Sequence, residues 1–159
     1  MKLSGIRFVR IFQWIAPVLL PLLVLFGRWI LGAPMGWMTF IGIFVAPFMV
    51  ILMFIPPLIV VFDRDAKAAR STRLFYDIAS WVLWGALLLM MFTLVDGGDT
   101  PPFGSAVSTW GWMDSATSST VSGIAFLVAV ISWVGALITA IIGASRRGRT
   151  PLNTPLSAP

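Results

Sequence analysis

Six aspartates are the whole acidic complement of this 159-residue chain, which has no glutamate, no histidine and no cysteine. That stock excludes disulfides, thiolate chemistry, haem or zinc ligation through His or Cys, and imidazole acid–base work. Two acid pairs stand close enough in sequence to cooperate. Asp63 and Asp65 sit among Arg64, Lys67, Arg70 and Arg73, where local salt bridging is the expected use of a carboxylate. Asp96 and Asp99 flank two glycines, a flexible spacing that suits a divalent cation. Two carboxylates with a few carbonyls make a poor calcium site, so neither a metal nor a cofactor is expected. The chain has no glycine-rich phosphate loop, nucleophile elbow or lipid-phosphotransferase acid cluster. No catalytic residue is assigned, and the chain is not expected to be an enzyme.

The elements that hold these residues follow from composition. At 58% hydrophobic and 11% charged residues, the chain cannot present an ordinary soluble surface, since soluble proteins run near ~25% charged. The expected fold is all-α and polytopic, with four transmembrane helices at about 11–31, 37–62, 78–95 and 121–144. They form one membrane domain over 1–145, followed by a basic, then Pro- and Ser-containing tail at 146–159. The first two spans should be kinked by proline (Pro17, Pro21, Pro47 and the Pro56-Pro57 pair) and the last two regular. Pro56-Pro57 is expected to end the regular second helix near the membrane surface. The N-terminus imitates a signal peptide, but its apolar run is longer than the usual h-region, so it is read as a span.

Charge sets the expected orientation. Lys2, Arg7 and Arg10 precede the first span, Arg64, Lys67, Arg70 and Arg73 fill the second gap, and Arg146, Arg147 and Arg149 follow the last span. The gap from Asp96 to Thr120 holds three Asp and no basic residue. Basic residues are retained on the cytoplasmic side, which puts both termini and 63–77 inside a plasma membrane and 96–120 outside. Arg28 is the exception, expected to snorkel from the end of the first span to the headgroups. The net charge of +5 is spread over flanks beside apolar runs, which suits an anionic lipid surface and not nucleic acid. Arg64, Lys67, Arg70 and Arg73 form the expected contact with headgroups or a partner. Asp63 with Lys67 and Arg73 with Asp77 are spaced for intrahelical pairing.

Two further features point to packing. In the fourth span Ser132, Ala136 and Ala140 repeat every four residues, beside a row of Gly135, Thr139 and Gly143. Rows of small residues let membrane helices approach closely, within the unit or against another subunit. Trp110 and Trp112 in the outer loop are the expected contacts with a partner or the membrane interface. Nine Arg against two Lys suits a GC-rich bacterial genome. Together these features suggest a small non-catalytic accessory subunit of a bacterial membrane complex, binding other membrane subunits and lipid. The rival expectation is a small oligomeric channel, carrier or holin-like pore. It needs a polar stripe along the spans, which offer almost none.

Overall fold

The computed structural model describes residues 3–4, 7–68, 72–98 and 103–145. Arg70, Asp99 and the tail at 146–159 lie outside the described residues, as do Lys2 and the tail's three arginines. The elements in chain order are β1 (Leu3–Ser4), α1 (Arg7–Phe12), α2 (Ala16–Leu22), a π-helical segment (Leu23–Gly27), α3 (Arg28–Ile30), α4 (Trp37–Val60), α5 (Arg64–Ala68), β2 (Thr72–Arg73), α6 (Leu74–Thr93), α7 (Ala106–Thr109) and α8 (Ser115–Ser145). The chain is mostly helical, and α4, α6 and α8 are long and apolar enough to cross a membrane. Ala16–Ile30 is a shorter apolar helix. β1 and β2 form a two-residue antiparallel ladder, pairing Leu3 with Arg73 and Ser4 with Thr72, which the helical reading of the sequence does not include.

The first apolar run is not one helix. The chain turns at 13–15 and restarts at Ala16, with Pro17 in the first turn of α2. Proline has no N–H to return to the Gln13 carbonyl, and in a first turn that donor is not needed. Pro21 removes another bond, and the π-helical segment follows directly.

The Pro56-Pro57 pair does not end α4, which continues as helix to Val60. Pro56 frees the carbonyl of Leu52, four residues earlier, and the Trp133 indole of α8 donates to it at 3.0 Å. Freed carbonyls in membrane helices are commonly satisfied by a neighbouring helix in this way.

α8 begins six residues earlier than its apolar run. Asp114 accepts from the Thr117 N–H at 2.8 Å and from the Thr117 hydroxyl at 2.7 Å, while its carbonyl accepts from Ser118. A capped polar turn therefore extends what reads in sequence as loop.

The core is the seam between α6 and α8. α8 buries Ser118, Ser122, Ala125, Ala129, Ala136, Ala140 and Gly143, all small. α6 answers with large residues, including Leu83, Trp84, Leu87 and Met90. α1 lies against α6 through Phe12, which meets Trp84 edge-on at 4.8 Å between ring centroids. α4 lies against α2 and α8 but buries only Thr39, Met53, Pro56 and Pro57.

Candidate functional site: polar clusters at the two ends

At the end expected to face outward, Asp96 collects five donors. Its Oδ2 accepts from the N–H groups of Gly36 and Thr39 at 3.0 and 2.9 Å and from the Thr39 hydroxyl at 2.6 Å. Its Oδ1 accepts from Met38 at 2.9 Å and Gly97 at 2.8 Å. Asp96 thus caps the N-terminus of α4 from some sixty residues away, satisfying N–H groups that a helix start leaves without partners. The approach requires glycine, because a Cβ on Gly36 would collide with the Gly97 backbone, whose carbonyl accepts from Trp37 at 3.1 Å. Burial alone would raise the Asp96 carboxyl. The Thr39 hydroxyl and the amides of Met38, Thr39 and Gly36 outweigh it and hold the group below the ordinary carboxylate value.

Arg28 belongs to this cluster. Its Nη1 lies 3.5 Å from Asp96 Oδ2 and its Nη2 donates to the Pro34 carbonyl at 3.2 Å. The side chain is 1% exposed, so the expected snorkelling does not occur. A buried carboxylate within reach is a better partner for a guanidinium than a long stretch to the headgroups. Arg28 Nε has no hydrogen-bond partner among the described residues.

Trp110 and Trp112 sit beside this end. The Trp110 indole donates to the Leu31 carbonyl at 3.1 Å and its ring lies against Phe92. Trp112 meets the Trp110 ring edge-on but is 75% exposed. The loop is fastened further by Ser105, which caps α7 and shares a 2.7 Å hydrogen bond with Ser118. Contacts within the chain therefore hold the described part of this loop.

At the other end, Arg73 grips both oxygens of Asp63 with one edge of its guanidinium, at 2.5 Å from Nε and 3.1 Å from Nη2. Thr72 donates to Asp77. The Arg73–Asp63 pair takes the place of the expected intrahelical pair Asp63–Lys67. Two parallel bonds from a planar fork hold a buried carboxylate better than one flexible ammonium on a helix surface. Gly143 of α8 lies against this pair, and a Cβ there would strike Asp63 Oδ2 and come within 3.0 Å of Arg73 Nε. Arg73 is thus buried, whereas Arg64 and Lys67 are exposed, so the basic stripe read in sequence is divided between two environments.

The small residues of α8 divide too. Ala136, Ala140 and Gly143 are buried, while Ser132, Gly135 and Thr139 are half-buried at the edge. The Thr139 hydroxyl returns to its own helix, at 2.9 Å from the carbonyls of Gly135 and Ala136.

Sequence reasoning does not assign one buried pair. The Tyr76 hydroxyl donates to Gln13 Oε1 at 2.9 Å, and Gln13 Nε2 donates to the Arg10 carbonyl at 3.1 Å. A signal exists in the sequence: Tyr76 is the only tyrosine, and Gln13 the only amide side chain in the first apolar run.

Among the described residues no group of three or more acids could hold a metal ion. The arrangement as it stands fastens loops to helix ends. No family model, curated protein or solved structure matches the chain.

Proposed function

We propose that this chain crosses the plasma membrane of a bacterium four times, with both termini inside, and serves as a small non-catalytic accessory subunit of a larger membrane assembly. In this reading Ala16–Ile30 and its flanks make the first crossing, despite their broken geometry. The observation that carries the proposal is α4. It buries only four of its residues inside the bundle and exposes half of them, with Phe40, Phe44, Phe48 and Ile51 along one exposed line. In a membrane such a face meets lipid or the helices of another subunit. Aromatic residues at regular spacing provide large contact area with little conformational freedom to lose.

The buried charges support a structural role. Arg28, Asp63, Arg73, Asp77 and Asp96 each engage another group of the chain. Polar residues inside membrane segments commonly mark transport routes, and here they close the ends of a helix pair.

The test is purification in mild detergent of a tagged copy expressed from its native locus, followed by native gels and identification of co-purifying proteins. A defined larger species with stoichiometric partners is expected. Phe44→Ala with Phe48→Ala should weaken it without reducing membrane insertion. Migration only as a free monomer would refute the proposal.

A further inference from the structure

At the Asp63–Arg73 end lies a cavity of about 160 Å³, bordered by Thr72 of the same cluster. It is lined by Arg10 of α1, Gln13 and Trp14 of the following turn, Val60 and Val61 at the end of α4, and Lys67 of α5. Its volume is roughly tenfold the ~10–15 Å³ that one water needs, so a tetrahedral oxyanion with ordered waters fits.

The charge balance is unusual. Neither the Arg10 nor the Lys67 side chain has an ion-pair or hydrogen-bond partner among the described residues. The acids of this end whose side chains are described are engaged elsewhere, Asp63 with Arg73 and Asp77 with Thr72. Gln13 presents an amide whose Oε1 is fixed by Tyr76 and whose Nε2 spends one N–H on the Arg10 carbonyl, leaving a second N–H. Two cations on separate elements therefore converge on a space with a spare donor and, among the described residues, no acid to neutralise them.

We propose that this cavity binds the phosphate of an anionic phospholipid, with Arg10 and Lys67 on the phosphate oxygens and Gln13 as a supporting donor. A guanidinium presents a planar fork to phosphate and an ammonium a point charge, which together hold a singly charged diester. The apolar wall of Trp14, Val60 and Val61 favours a lipid over soluble phosphate, because it offers a surface to glycerol and acyl carbons that a free ion cannot use. Placement at the end of α4 puts the site at headgroup depth. The inference rests on the membrane placement proposed above and adds a defined lipid site to it.

Native mass spectrometry of the detergent-purified chain tests it with phosphatidylglycerol, phosphatidylcholine and inorganic phosphate as probes. The wild type should retain one phosphatidylglycerol in preference to phosphatidylcholine. Arg10→Gln with Lys67→Gln should lower that preference by about thirtyfold, following the roughly 1 kcal/mol that each of the two basic residues contributes near an anionic surface. The charge-keeping Arg10→Lys with Lys67→Arg should preserve it, and Arg64→Gln, outside the cavity, should leave it unchanged. Millimolar inorganic phosphate that displaces the lipid in the wild type alone would support the same oxyanion site, with soluble phosphate as a second source. Equal retention of both lipids by the wild type, or unchanged preference in the double Gln variant, would overturn the site. A chain recovered in the soluble fraction would instead defeat the membrane placement itself.

Discussion

The two ends of the bundle use the same residue types for different purposes. At the Asp96 end, one carboxylate is saturated by backbone amides, a hydroxyl and a buried guanidinium, and no basic side chain is left over among the described residues. At the Asp63 end, one carboxylate is gripped by Arg73, while Arg10 and Lys67 have no counter-charge among the described residues around an open space. The first end is closed on itself and the second keeps charge available. Pairing within the chain, more than the count of charged residues, decides which surface can recognise something else.

The largest expected effect comes from unlocking the closed end. Asp96→Ala should lower unfolding free energy by about 3–5 kcal/mol, because it leaves Arg28 buried without its counter-charge and strips the cap from α4. Asp63→Ala should cost less, about 1–3 kcal/mol, since the cap it removes with the Arg73 pair belongs to the five-residue α5 and not to a long helix. Thermal melting in detergent compares them, and equal losses would erase the distinction between the ends. Acid should separate them similarly. The Asp96 carboxyl is held below its unfolded value of about 3.9, so its contribution is complete above that pH. It is lost as pH falls below about 4 and through the lower folded-state value. Melting temperature measured from pH 6 downward should therefore drop more steeply in the wild type than in Asp96→Asn.

Two glycines of α8 give a smaller and sharper contrast. Gly143→Ala forces a methyl into the Asp63–Arg73 pair and should destabilise by about 1–3 kcal/mol. At Gly135 the new methyl meets Ala79 Cβ at 3.9 Å, an ordinary contact, so Gly135→Ala should be neutral or slightly stabilising through helix propensity. A comparable loss at both positions would mean that the whole small row is tightly packed, not its inner line alone.

The smallest effect lies between the ends. Trp133→Phe removes the donor to the Leu52 carbonyl and should cost about 0.6 kcal/mol, the average for a hydrogen bond between helices in a membrane, and no more than about 1.7 kcal/mol. Lipid retention at the Arg10 cavity should not change, and a coupled loss there would show that the middle of the bundle and its basic end are linked.

Much of the architecture is legible in the sequence because lipid exposure and length act residue by residue. The apolar runs of α4, α6 and α8 are visible in composition, as is the small-residue line that meets α6. The first run misleads because proline removes N–H groups at Pro17 and Pro21, and where the chain then breaks depends on neighbours that the sequence does not reveal. The extra turns of α8 are hidden because Asp114 reads equally well as loop or cap. The pairings are least legible. Arg28 and Asp96 are almost seventy residues apart, and local spacing favours Asp63–Lys67 over the long-range Asp63–Arg73 pair. Nothing in local sequence encodes a cap delivered from a distant loop, although one basic residue stranded near an acidic gap is a fair signal that the two meet.

The orientation of the two ends is the central claim, and labelling of introduced cysteines from either side of the membrane tests it directly. The chain has no native cysteine, so the background is zero. Ala68→Cys, in α5, and an N-terminal tag should be reached only from the inside, and Ala116→Cys, in the first turn of α8, only from the outside. Access to Ala68→Cys from outside, or to the tag and Ala68→Cys from opposite sides, would contradict a four-crossing chain whose open basic end faces the cytoplasm.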